Sequence, residues 1–168
     1  MTAPLIVTAD FVPADFAFLD GERRAHFPPG RNILAAHLTL LHALPPSVES
    51  EARRLLSGAA DRQAPRATLA GLYSLGSGVA YAVKSDDLEE IRSEIADAFI
   101  GCLTSQDAHG WRPHITIQNK VTSSVARNLL ITKQRHFTPR QLVLAGLALH
   151  RYLGRPWETV QRWRFRGS

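Results

Sequence analysis

One cysteine stands in the 168 residues, which excludes an internal disulfide and any cysteine-based zinc site. Its neighbours Phe99, Ile100 and Leu103 predict a buried, inert thiol at Cys102. No apolar run approaches the roughly 20 residues needed to span a bilayer, so no membrane-spanning segment is expected. No basic residue precedes the short apolar patch that follows Met1-Thr2-Ala3-Pro4. That argues against a secretory signal and makes the cytoplasm the expected compartment. Charge runs and low-complexity tracts are missing too, and the apolar share of 45% is ordinary for a globular chain. No His, Asp and Glu cluster has metal-ligand spacing, so neither a metal nor a cofactor is expected.

What is present points to one domain, residues 1–168, with a monomer as the working expectation. A chain of this length buries roughly 70% of the surface it exposes when unfolded. The formal charge is +5 and the sequence pI about 10.0, which favours an anionic partner without choosing among nucleic acid, nucleotide and membrane surface.

The chain alternates strand and helix patterns. Leu5–Ala9 reads as an opening strand, and Asp15 as the N-cap of a helix that runs towards Phe27. Pro28-Pro29-Gly30 stops that helix. A strand around His37–His42 follows, then a helix carrying Val48, Ala52, Leu55 and Leu56. Arg66–Ser74 and Val79–Lys84 read as a hairpin about Gly76-Ser77-Gly78. Ser85 or Asp86 caps a helix striped with Leu88, Ile91, Ile95 and Phe99. Residues 104–111 read as a polar loop before a strand at His114. Thr122 or Ser123 caps a helix to about His136, and strands over 141–151 and 157–166 close the chain. In the last strand Arg162, Arg164 and Arg166 share one face and Trp163 and Phe165 the other.

Two of these strands carry the same short pattern. Ala36-His37-Leu38-Thr39-Leu40 and Pro113-His114-Ile115-Thr116-Ile117 both read His-x-Thr followed by an apolar residue. Side chains alternate faces in a strand, so His37 and Thr39 share a face, as do His114 and Thr116. Same-face neighbours lie roughly 6–7 Å apart at the backbone, so an imidazole and a hydroxyl can both reach one tetrahedral group. One such pair is a weak signal; two, each backed by apolar residues, are much more specific. Each of the two strands also follows one helix pattern and precedes another.

On these motifs the sequence resembles the 2H phosphoesterase superfamily, which includes bacterial 2′-5′ RNA ligases and RNA 2′,3′-cyclic phosphodiesterases. The resemblance covers essentially the whole chain. It implies an α+β, bilobal duplicated fold: two antiparallel sheets with outer helices around a central cleft, related by a pseudo-two-fold. It implies catalysis by His37, Thr39, His114 and Thr116 on RNA or nucleotides bearing a 2′,3′-cyclic phosphate or a 2′-5′ linkage. Histidine suits both the base and the acid of such a reaction because its ordinary pKa, about 6.5, lies near working pH. Threonine hydroxyls suit the non-bridging oxygens. No metal is needed, and the reverse reaction is 2′-5′ ligation. The sequence leaves acid and base unassigned between His37 and His114.

Face parity carried past the second motif puts Gln118 and Lys120 on the side of His114, where the first motif has Leu41 and Ala43. Lys120 is thereby a candidate anchor for a second phosphate, although a solvated strand-end lysine is an equal explanation. Arg112 shares the same parity, and Tyr152 or Trp157 is placed to stack on a base. Hairpin packing accounts for those aromatics too. The Arg162, Arg164, Arg166 stripe suits a phosphate backbone or a charged sheet edge. The competing reading is an RNA-binding module on the same scaffold with weak or no turnover. Against it, binding alone does not call for two proton-transfer groups.

Overall fold

The structure, a computed structural model, describes residues 3–167. Among the described residues there are seven strands and five α-helices, and the sequence pattern implies all of these except one short helix. The strands are β1 (Leu5–Phe11), β2 (Leu38–Leu44), β3 (Arg66–Ser74), β4 (Val79–Lys84), β5 (His114–Gln118), β6 (Arg140–Tyr152) and β7 (Trp157–Arg164). The helices are α1 (Pro13–His26), α2 (Glu49–Ala60), α3 (Asp86–Ala98), the single-turn α4 (Ser105–Ala108) and α5 (Ser123–His136).

All strand pairs are antiparallel, in the order β2-β1-β6-β3-β4-β5, with β7 on β6. The length of β6 makes the fold bilobal. Its first residues, Arg140–Val143, pair with β3, while Leu144–Arg151 pair with β1 and the same stretch carries β7 on its other edge. One half is therefore β2-β1-β6-β7 and the other β6-β3-β4-β5, a duplication hinged on one shared strand. The core lies beneath both: Leu38, Leu40, Leu41 and Leu44 of β2 and Ile115 and Ile117 of β5 are at most 1% exposed. Each side chain buried to that degree contributes about 1.5–3 kcal/mol.

The helices knit the halves across the middle. The first-half helix α1 packs on β5 of the second half, and α3 of the second half reaches β2 of the first. Ser85 and Thr122 cap α3 and α5 through the backbone N–H groups of Leu88 and Val125. The expected hairpin forms, with Gly76 at φ +83° in its turn. Gly78 is needed for a different reason. A Cβ there would lie 1.8 Å from the Gln118 carbonyl oxygen, so only glycine lets β4 and the end of β5 approach.

Four local expectations are overturned. Asp15 is not a cap: Val12 takes that place and Pro13 begins the helix, which ends at His26. Asp15 is instead buried at 6% exposure, where it accepts from the Val143 N–H (2.7 Å) and Arg140 (2.8 Å) and ties α1 to β6. The Cys102 thiol is exposed, because α3 ends at Ala98 and a 3-10 turn over Ile100–Cys102 swings these residues outward. The polar stretch before β5 contains α4, which buries Asp107 to accept from the His42 and Ala43 N–H groups and from His42 Nδ1. Finally, β7 ends at Arg164, and two of the three arginines of the last-strand stripe pair with carboxylates: Arg162 with Asp10 and Arg166 with Asp61.

Candidate active site

Both His-x-Thr segments are built the same way at backbone level. His114 opens β5, while His37 stands one residue before β2. Thr39 pairs with Thr8 of β1, and Thr116 with Ala80 of β4. Immediately after each threonine the register slips by one residue. Val7 faces Leu41 rather than Leu40, and Val79 faces Gln118 rather than Ile117. A β-bulge at this point re-aims the next side chains along the strand.

That bulge corrects the expectation for Gln118. It occupies the slot of Leu41 and is only 4% exposed, and its side-chain oxygen is buried without a hydrogen-bond partner. The extrapolated alternation fails because the bulge adds a residue to one strand only. Lys120 also lies past the strand end, with φ 62° in the left-handed region that side chains seldom adopt. Its ammonium is exposed and its position is set by the loop rather than by strand parity.

The two imidazoles are held alike. His37 Nδ1 donates to the Ala35 carbonyl and His114 Nδ1 to the Arg112 carbonyl, both at 2.8 Å and both two residues back. A carbonyl only accepts, so each neutral ring carries its proton on Nδ1 and leaves Nε2 with its lone pair free. Among the described residues, neither motif threonine hydroxyl is engaged by a protein group, and both threonines are partly exposed.

The motifs are drawn together by bonds between the halves. The Trp111 indole N–H, from the segment leading into β5, donates to the Thr39 carbonyl (3.0 Å). Arg92 of α3 donates to the next carbonyl, that of Leu40 (3.2 Å). In the other direction, Arg23 of α1 donates to the Thr116 carbonyl (3.1 Å) and to Asn32 Oδ1 (2.8 Å) on the loop before His37. Arg23 is 5% exposed, its guanidinium lies over the Phe27 ring, and burial depresses its pKa. Nothing in a single sequence marks it, because one arginine of α1 looks like another until β5 is folded against the helix.

Around these shared parts the surroundings differ. His37 meets the Trp157 ring edge-on at 4.8 Å, and Trp157 also contacts His150 at 5.5 Å. The imidazole of His150 is held between the Thr8 and Thr159 hydroxyls, at 2.9 and 3.1 Å. Burial pushes the pKa of His37 down to about 4; the charges of Arg23, His114 and His150 push the same way, against the Ala35 carbonyl. His150 is likewise lowered to about 4, by burial and by Arg162. This half opens on a cavity of about 680 Å³ whose walls include Asp10, His37, His150, Trp157 and Arg162. On the other side, His114 meets Tyr73 at 6.0 Å, and the Arg112 guanidinium carbon lies over that Tyr73 ring, 3.5 Å from its centre. Tyr152, 45% exposed, lines a smaller cavity of about 180 Å³ together with Lys120 and Trp157. Thus Lys120 and Tyr152 line the smaller cavity, Arg112 stands exposed on the Tyr73 ring, and Gln118 is buried.

Among the described residues, no three His, Cys, Asp or Glu side chains are grouped as metal ligands, and no helix is long and apolar enough to cross a membrane. Residues 11–156 match the family model of the 2′-5′ RNA ligase superfamily. A comparison with curated proteins finds no match. Among solved structures, TT0787 of Thermus thermophilus is similar over 98% of this chain and 99% of its own, at 17% identity and a TM-score of 0.67. E. coli LigT complexed with 3′-AMP is similar over 99% of both chains, at 20% identity and a TM-score of 0.64. LigT complexed with NADP+ gives 18% identity and a TM-score of 0.61, over 98% of this chain and 99% of its own. At such identities these structures establish a common fold.

Proposed function

The chain belongs to the 2′-5′ RNA ligase superfamily, and from that premise we propose that it opens 2′,3′-cyclic phosphates at RNA or nucleotide ends by paired-histidine catalysis. The observation that carries this reading is the repeated local geometry. Two imidazoles with Nδ1 tied to a carbonyl, each two residues from an unengaged threonine hydroxyl, sit in the two halves of one duplicated sheet. Binding a phosphate needs cations or N–H donors; it does not need two imidazoles held in a fixed tautomer. The E. coli relative has been crystallised with 3′-AMP, which supports a nucleotide substrate here.

In this scheme the phosphate sits between the two rings. The Thr39 and Thr116 hydroxyls donate to its non-bridging oxygens, where charge gathers in the transition state. His37 acts as the base in hydrolysis, because burial keeps it neutral at ordinary pH and its Nε2 lone pair is available. It removes a proton from water as the water oxygen attacks phosphorus. His114, on the opposite side, acts in its doubly protonated form: it gives its Nε2 proton to the departing ribose oxygen while Nδ1–H stays on the Arg112 carbonyl, and a monophosphate results. Run backwards, His114 accepts a proton from the ribose hydroxyl as that oxygen attacks phosphorus. In 2′-5′ ligation a 5′-hydroxyl takes the place of water. No step draws on a metal ion.

The test is hydrolysis of a nucleoside 2′,3′-cyclic phosphate in EDTA from pH 5 to 9, with 2′- and 3′-phosphate products resolved. A single product, formed at an undiminished rate in chelator and lost in both His37→Ala and His114→Ala, is the expected result. An aryl phosphodiester, whose leaving group needs no proton, assigns the roles: it should be turned over by His114→Ala far better than by His37→Ala. Equal failure of both variants on that substrate would reverse or dissolve the assignment.

A further inference from the structure

Three loops from distant parts of the chain converge beside Trp157: residues 31–34 ahead of the first motif, the turn after β5, and the β6–β7 turn. Each delivers a cation to the small cavity there, namely Arg31, Lys120 and Arg155. No acid lines that cavity, and none of the three cations makes an ion pair among the described residues. Elsewhere single exposed cations such as Lys84, Arg127 and Arg135 also lack an ion pair among the described residues, but they stand apart from these cavities, and many other arginines are paired. Arg53, Arg62, Arg66 and Arg151 on the outer helices and strands are all matched with carboxylates. Three like charges gathered without a counter-charge repel one another, and folding tolerates this most readily where an anion completes the set. The cavity shares Ile33, Leu34, Pro156 and Trp157 with the larger one that holds His37. An anion there would thus lie next to the reacting phosphate, across the Trp157 ring. The left-handed backbone of Lys120 is a second local cost at the same spot.

We propose that Arg31, Lys120 and Arg155 form a subsite for a second phosphate, so that the substrate class is nucleotides carrying another phosphate besides the reacting one. Tyr152, exposed on the same wall, flanks it. The inference rests on the reading of the His37–His114 cleft as the site of reaction. The second phosphate has two sources: the terminal 5′-phosphate of a mononucleotide, or the internucleotide phosphodiester of an RNA end.

Calorimetry at low salt on the full chain tests it with adenosine 3′-monophosphate, adenosine 3′,5′-bisphosphate and a diadenosine ending in 3′-phosphate. Either ligand with two phosphates should bind about tenfold or more tightly than the monophosphate, the scale of one charge-assisted contact. Preference for the bisphosphate assigns the mononucleotide source, and preference for the dinucleotide assigns the RNA end. The advantage should fall below about twofold in the Arg31→Ala, Arg155→Ala double variant and shrink in Lys120→Ala. Equal affinities in the wild-type chain, or an advantage that both variants keep, would overturn the subsite. Turnover of adenosine 2′,3′-cyclic phosphate with and without a 5′-phosphate separates the two readings. A binding preference that the variants lose, without turnover of either compound, supports the subsite and removes the hydrolytic reading. Equal turnover and equal binding leave hydrolysis standing and remove the subsite.

Discussion

The two halves of the site agree in backbone and disagree in surroundings. Each has its histidine anchored to a carbonyl two residues back, a bulge after its threonine, and a donor from the other half on or next to the threonine carbonyl. Yet His37 is pressed against Trp157 and held near pKa 4 at the mouth of a large cavity. His114 stands beside a Tyr73–Arg112 stack. In the proposed scheme the shared features are those that chemistry at one phosphorus atom requires on both sides. In the same scheme the differing ones serve to distinguish one end of a nucleotide from the other.

The largest test of this contrast is removal of the histidines one at a time and together. Each of His37→Ala and His114→Ala should lower kcat/KM on a cyclic phosphate by about 10³-fold, within the range of general acid–base catalysis. The double variant should be little worse than either single one, since the rings act as a unit. Losses that multiply would show the halves working independently. A smaller effect is expected from the hydroxyls: Thr39→Val and Thr116→Val should each cost about 10–10²-fold in kcat, with less change in KM. If only one of them mattered, the phosphate would be gripped from one half alone.

Arg23 sharpens the comparison from below. Arg23→Met leaves the Thr116 carbonyl and Asn32 without their donor and should lower unfolding free energy by about 1–3 kcal/mol in a urea titration. Because the Arg23 charge helps depress His37, the acidic limb of kcat/KM should also move to higher pH. A destabilised variant with an unmoved limb would make Arg23 a purely structural tie.

The smallest expected effect is on stability against pH. His37 and His150 both have folded pKa values lowered to about 4, against about 6.5 when unfolded. Between these values the unfolded chain binds more protons. Stability is therefore fully present above about pH 6.5 and falls as pH drops towards 4. Asp107 and Glu22, whose pKa values are lowered by hydrogen bonds that outweigh the cost of burial, add losses only below the ordinary carboxylate range. His150→Gln should flatten part of the slope between pH 6.5 and 4 in thermal unfolding. An unchanged slope would show that His150 is not buried neutral.

Sequence alone determined the strand–helix alternation and the two His-x-Thr pairs, because period-2 and period-3.6 patterns are local and survive without knowledge of the neighbours. Ser85 and Thr122 were legible as caps for the same reason. Reading failed where a residue's place depends on a partner strand. The bulges that bury Gln118 arise from pairing with β4, and the role of Asp15 exists only once β6 lies beside α1. Arg23 and Trp111 became parts of the site only when the two halves crossed over each other. The tertiary structure likewise decided which cations line one cavity without a counter-charge among the described residues, and which histidines lie where burial lowers their pKa. Burial and counter-charge are properties of assembled surfaces, and no single stretch of chain encodes either by itself.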